Sequence, residues 1–371
     1  MNLTLSTEQS QLKDNAARFV ARHGVRGELA GALAHSGGSR RDIWNGAAEL
    51  GWLGAGLSED EGGFGGGPVE TMVIMEEAGR GLMPEPFLTA AIAARLLAET
   101  RPGSDLVAAL VSGEEVIVPA LDDGRTPGAG TTLSGEAGAR TLSGVKELVA
   151  AAEHADRLIV SCSTPEGVAA LAAIPANVAG VNMDGYRTMD GRRAATISFQ
   201  AVAVPEDAIL ALGDKAGAAL AAAKDAALAA LSAEAVGIAS FLIDQTLDYL
   251  KTRHQFGQPI GRFQALQHRM ADLFVALEEA RSLTVMATVS LGGEDTAARA
   301  RTVSAARIGT ISRTLHVARE AIQLHGGMGV SKELPLEYIY RATRVYRIVE
   351  GPSEVHRWII ARDLLRNGVR S

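Results

Sequence analysis

Three short stretches hold residue types that could do chemistry. The first is "YRIVEGPSEVHR", Tyr346 to Arg357. Here Glu350 follows the apolar pair Ile348 and Val349 and runs at once into Gly351 and Pro352. A carboxylate pressed against apolar neighbours at such a break is poorly solvated, so its pKa rises and it could act as a base near neutral pH. It could equally be an N-terminal acid for the helix that "SEVHRWIIARDLL" encodes, with Ser353 as the other candidate cap. The second stretch is "KTRHQFGQPIGRFQALQHR", in which a long helix ends near Arg253, turns, and reopens at Gln264 and Gln267. Arg253 could clamp a phosphate with its planar fork, and Phe256 could lie against a flat ring. Both could also be the parts of a plain helix corner, with the guanidinium in water and the ring in the core. The third is "AIQLHGGMGVSKELP". Gln323 lies one turn before a glycine pair and could read a carbonyl or a phosphate, while Gly326 and Gly327 permit positive φ and close approach by another backbone. His325 is an acid–base candidate, although a lone histidine at this place more often caps or faces solvent.

Other features carry less. "SEDEGGFGGG", Ser58 to Gly67, is a glycine-rich loop before a helix. It lacks the lysine and Ser/Thr of a phosphate loop, has no strand before it, and reads as a turn. The single cysteine, Cys162, excludes an intrachain disulfide framework and fits a reducing compartment. No cysteine–histidine group has zinc-site spacing.

The elements that must position these residues fall into three textures. Residues 1–115 read as helices: "STEQSQLKDNAARFVARH" starts at a Ser6 cap, and "GPVETMVIMEEAGRGL" has Pro68 near its start and glycines at its end. Residues 116–210 are short runs rich in valine and isoleucine, such as "EEVIVPAL", "DRLIVSCS" and "AATISFQAVAVP", separated by turn residues. They imply a small β domain of five to eight strands, a barrel or sandwich. Residues 211–371 return to helix, with four long segments that make a bundle. The expected fold is therefore mostly α with a β insert: an N-terminal helical domain, a small middle β domain and a C-terminal four-helix bundle. No G-x-G-x-x-G follows a strand, and the pattern does not alternate β with α, which argues against a Rossmann fold.

Composition agrees with this reading. The 371 residues are too many for one ordinary core, and 47% hydrophobic with 21% charged residues is a soluble globular balance. A net charge of −7 argues against a nucleic-acid surface. Asp214 to Leu250 is the most apolar segment, but it is alanine-rich and contains Lys215, Lys224, Asp225 and Glu234. A helix buried between helices is expected there, and no membrane span. The start, "MNLTLSTEQSQLKDNAARF", lacks a basic segment followed by an apolar core, so no signal peptide is read and a cytoplasmic location is expected.

The three chemical stretches occur in this order in one known family. "TRHQFGQPIGRFQALQHRMADL" and "AIQLHGGMGV…LPLEYIYRATRVYRIVEGPSEVHRWIIARDLL" resemble the C-terminal signatures of the FAD-dependent acyl-CoA dehydrogenases. The order of helices, β module and bundle is similar too, so the resemblance spans essentially the whole chain. Within the family, "GGFGGGPVETMVIMEEAGR", "GYRTMDGRRAATISF" and "DYLKTRHQFGQPIGRFQALQHR" look most like the small subunit of pimeloyl-CoA dehydrogenases and related two-subunit enzymes. The resemblance implies Glu350 as catalytic base and FAD as cofactor. It implies that Arg253 and Phe256 hold the FAD diphosphate and adenosine across a dimer interface, with Gln323 and Gly327 as further contacts. Gly351 would give room beside the substrate. An acyl-CoA thioester would be the substrate, an electron-transfer flavoprotein the acceptor, and a homo- or hetero-oligomer the assembly.

The chain departs from the family at several places. Pro352 replaces the usual Thr, and Glu354 stands where an amide is common. The loop "VPALDDGRTPGAGTTLSG" keeps no trace of the family's flavin-covering motif, and Leu148 and Ala150 replace a tryptophan and a threonine. Two accounts follow: a catalytic subunit with an altered flavin pocket, or an accessory, catalytically degenerate subunit of a hetero-oligomer. Glu234 and Asp225 are fallback bases on the long helix. A non-enzymatic acyl-CoA binder and an oxygen-using flavin oxidase are the remaining alternatives.

Overall fold

A computed structural model describes residues 4–24, 41–123 and 130–368. The N-terminal part holds α1 (Thr7–His23), α2 (Arg41–Glu49), α3 (Pro68–Arg80), α4 (Phe87–Thr100) and α5 (Asp105–Val111). Helix α1 starts on a capping box in which Ser6 and Gln9 exchange side-chain and backbone bonds. The glycine-rich loop before α3 folds on its own acids: the Ser58 N–H donates to Glu61 at 2.9 Å, and Gly67 N–H to Glu70 at 2.8 Å. Those N–H groups are satisfied within the chain, as a turn requires and a phosphate cradle does not.

Eight strands follow: β1 (Ile117–Ala120), β2 (Thr132–Ser134), β3 (Arg140–Ala150), β4 (Arg157–Ser163), β5 (Ala169–Pro175), β6 (Val181–Arg187), β7 (Arg193–Val204) and β8 (Ile209–Leu212). They make one mixed sheet in the order β6-β7-β3-β2-β4-β5-β8, with β1 added in parallel to β4. Register shifts between β3 and β7, at Leu142/Gly144 and Lys146/Val149, bend it. The Lys146 ammonium is fully buried beneath the sheet and donates to Leu121 O at 3.0 Å, Asp123 Oδ1 at 2.7 Å and Ser161 Oγ at 2.8 Å. It thereby pins the loop after β1, whose Asp122 reaches the site below. The rest of that loop, residues 124–129, lies outside the described residues.

The C-terminal part is α6 (Asp214–Thr252), α7 (Gln264–Ser290), α8 (Thr296–His325), α9 (Leu336–Val345) and α10 (Ser353–Asn367). The four long helices are those the sequence pattern implies; the short α9 is an addition. Helix α6 has 39 residues, and its most apolar part is almost wholly buried inside the fold. Its small side chains matter because α3 crosses it backbone to backbone. A Cβ on Gly79 would sit 2.1 Å from the Glu234 carbonyl oxygen, and one on Gly237 1.9 Å from that of Glu76. Only glycine allows that approach.

Candidate active site

Helix α9 ends at Val345, and residues 346–352 carry the chain into α10. Within this turn Glu350 takes φ +56° and Gly351 φ +97°. The N-cap of α10 is Pro352, with no side-chain cap bond, so neither Glu350 nor Ser353 performs the capping role. Burial pushes the Glu350 carboxyl above the ordinary range; Asp122 adds to this, while Lys224 and Arg307 oppose it. The site thus gathers four parts of the fold: the loop after β1, the first half of α6, α8 and the α9–α10 turn.

Two side chains grip the turn. The Arg307 guanidinium on α8 is fully buried and donates from Nη2 to Tyr346 O at 2.9 Å and Val349 O at 2.5 Å. Burial lowers its pKa to about 10, which leaves it charged at neutral pH. His356 on α10 is also fully buried, with Nε2 3.2 Å from Glu350 O and Nδ1 3.1 Å from Ser304 Oγ. A carbonyl can only accept, so Nε2 carries the proton and Nδ1 accepts from the Ser304 hydroxyl. Burial brings the His356 pKa down to about 4, and the nearby Arg307 charge helps, so the ring is neutral. A Cβ on Gly351 would come 3.3 Å from His356 Nε2, and its positive φ would strain any other residue.

The other candidates are elsewhere. Arg253 follows α6 and is exposed; Phe256, 88% exposed, forms with Gly257 the tip of a two-residue hairpin in which Gln255 pairs with Gln258. Both tip residues have positive φ, +52° and +77°. Gln323 and Gly327 are exposed at the end of α8. The Tyr249 and His325 rings stack at 4.4 Å, which brings the ends of α6 and α8 together, so these four residues share one end of the bundle. His325 is neither a cap nor a surface group: it is buried, and its Nδ1 donates to Ala321 O at 2.8 Å. Lys224, the α6 residue beside Glu350, and Arg253 are 29 positions apart, about 43 Å along a helix rising 1.5 Å per residue.

The fallback bases are engaged. Asp225 pairs with Arg299 at 2.8 Å, and Glu234 pairs with Arg192, which also donates to Tyr346 Oη at 3.3 Å. In the β domain Leu148 is 59% exposed with φ +54°, and its N–H donates to Tyr186 Oη at 3.1 Å. Ala150 ends β3. Arg307 and His356 were not singled out in the sequence. Arg307 did leave a signal: it stands on the stripe Val303, Ser304, Ala306, Arg307, Thr310, where helical spacing otherwise gives small or apolar residues.

Residues 6–101 match the family described as acyl-CoA dehydrogenase, N-terminal domain, and residues 225–365 match acyl-CoA dehydrogenase, C-terminal domain. The acyl-CoA dehydrogenase IpdE2 of Mycobacterium tuberculosis is 28% identical over 361 residues, covering 96% of this chain and 97% of that protein. The acryloyl-CoA reductase (NADH) of Anaerotignum propionicum is 27% identical over 99% of this chain and 96% of its own length. Among solved structures, a variant of the Tcur3481-Tcur3483 steroid ACAD superposes with a TM-score of 0.85 at 29% identity, covering 99% of this chain and all of that one.

Proposed function

Because the chain belongs to the acyl-CoA dehydrogenase family, and is an oxidoreductase acting on acyl-CoA, we propose that Glu350 is the base that removes the α-proton of an acyl-CoA thioester during α,β-dehydrogenation. The observation that carries this reading is the Glu350 turn itself: a poorly solvated carboxyl with a raised pKa, on a left-handed residue gripped from both sides. Strained, non-glycine backbone that the surroundings hold in place is characteristic of functional positions. A thioester acidifies its α-carbon, and a desolvated carboxylate gains basicity, so proton transfer between them needs little driving force. Gly351, at φ +97°, lets the chain turn next to the base while His356 of α10 packs against it.

FAD is the cofactor of this reading; bound, it accepts the β-hydrogen as hydride. The chain offers two separate sets of residues toward it. Leu148 presents an exposed apolar side chain on the sheet. Arg253, Phe256, Gln323 and Gly327 present a cation, an aromatic ring, an amide and bare backbone at the far end of α6. The second set lies about 43 Å along the helix from Lys224, exposed at the end of the bundle, which supports the reading in which it serves the FAD of a neighbouring subunit. The protein is accordingly an oligomer, and an electron-transfer flavoprotein reoxidises it.

Glu350→Gln tests the assignment. Flavin remains bound, and its anaerobic reduction by a reactive acyl-CoA slows by about 10²–10⁴-fold, the usual range for a lost general base. Reduction at the wild-type rate would remove Glu350 from the role. Leu148 and Ala150 favour one second reading, a flavin-poor subunit completed by a related partner, because neither side chain can hydrogen-bond a flavin edge. Protein that stays colourless after incubation with FAD would select that reading; a yellow protein bleached by a thioester would select self-sufficient catalysis.

A further inference from the structure

The Arg307 guanidinium is an unusual choice for a structural group. It has five N–H donors. Both bonds it makes come from Nη2, to carbonyls on either side of a tight turn, while Nε and Nη1 are buried with no hydrogen-bond partner in the protein. Full burial of a cation is costly unless a charge answers it. A neutral amide could hold a carbonyl at a smaller desolvation cost. The charge must therefore be answered electrostatically, and the carboxylate it acts on is Glu350.

The other groups around Glu350 do not answer for it. Asp122, from the loop after β1, opposes ionisation of Glu350, and Lys224, from α6, favours it. His356, from α10, is neutral and bonds the Glu350 main chain. Of the two cations that favour the carboxylate, Lys224 is exposed and Arg307 is the one buried against the turn itself. The geometry serves the same end. Arg307 fixes the carbonyls of Tyr346 and Val349, His356 fixes that of Glu350, and between them Glu350 is held at φ +56°, a conformation that costs a side-chain-bearing residue about 1 kcal/mol or more.

We propose that Arg307 is the positioning residue of the proton-transfer site: it folds the Tyr346–Val349 turn around one nitrogen so that Glu350 stays left-handed, with a fixed, buried positive charge behind the turn that carries it. This rests on Glu350 as base, and it assigns to α8 a role in readying that base which no contact with substrate is needed to perform.

Arg307→Gln and Arg307→Lys test it with two readouts. The first is 13C NMR of protein labelled at the glutamate carboxyl carbons, with the Glu350 signal assigned by its loss in Glu350→Gln. The second is the pH dependence of flavin reduction. In Arg307→Gln a cation that favours the carboxylate is gone. The Glu350 titration and the acidic limb of the rate profile both move to higher pH, and reduction slows at least tenfold while acyl-CoA affinity changes little. Arg307→Lys keeps the charge but not the fork; its titration stays near wild type and the rate is only partly restored. A folded Arg307→Gln with an unchanged Glu350 titration and an unchanged rate overturns the proposal. Should the Gln variant fail to fold, a Lys variant with a displaced titration, or with the full wild-type rate, overturns it instead. Failure of the base assignment shows separately, as normal flavin reduction in Glu350→Gln.

Discussion

Two residues with side chains, Glu350 and Phe256, sit in left-handed backbone at opposite ends of α6, and their surroundings could hardly differ more. Glu350 lies in a turn gripped by Arg307 and by His356 with Ser304 behind it. Phe256 lies at a hairpin tip, 88% exposed, with the Phe263 ring edge-on to it at 6.0 Å. In the first place the chain itself over-determines the strain; in the second it does not. A site held entirely by its own chain can work alone, whereas a strained, bare aromatic tip makes sense when another surface completes it. Under the proposed function, the base is complete within this chain, while the hairpin is one that an assembly would complete.

The largest effect that would break this contrast is at Arg253. Arg253→Ala should weaken FAD retention at least tenfold, the loss of a charge-assisted bond worth about 1.5–3 kcal/mol, and should weaken the oligomer with it. The Glu350 turn should be untouched, so enzyme kept saturated with FAD should be reduced by substrate at the wild-type rate. Unchanged flavin content after dialysis would make the hairpin an ordinary corner and collapse the comparison. A smaller effect of opposite sign sharpens it. Phe256→Gly relieves positive φ at an exposed position and should stabilise the isolated subunit by roughly 1 kcal/mol, read as a higher Tm at low concentration, while FAD binding weakens. A lower Tm would mean that the ring packs on its own chain.

How much of this the sequence could show depends on distance along the chain. Helix identity came from local signals: the Ser6 cap, Pro68 at the start of α3, and the alanine run of α6. The valine-rich runs marked five of the strands. The short β2, β8 and the polar β6 leave too little pattern, and β6 has no fully buried residue. Glu350 stood out because the E-G pair breaks an apolar run. Its grip did not, because Arg307 is 43 positions upstream and its bonds go to backbone carbonyls, which no side-chain motif encodes. His325 shows the converse. Its neighbours Gly326 and Gly327 suggested a surface cap, but the ring is buried because Tyr249, 76 positions earlier, stacks on it.

A further prediction separates the two regions by pH. His356 titrates at about 4 in the folded protein, against roughly 6.5 when unfolded. Between these values the unfolded chain binds more protons, so stability should rise with pH across that window and level off above it. The loss on acidification is local in origin: protonating His356 puts a second cation beside Arg307 and removes the acceptor that Ser304 uses. His356→Gln keeps a donor near Glu350 O without the titration, and it should flatten the slope between pH 4 and 6.5 while leaving stability at pH 7 close to wild type. A slope that survives this substitution would place the acid sensitivity elsewhere. If it vanishes, the Glu350 turn is a place where one neutral ring and one buried cation must coexist, and Glu350 keeps its position only while that ring stays neutral.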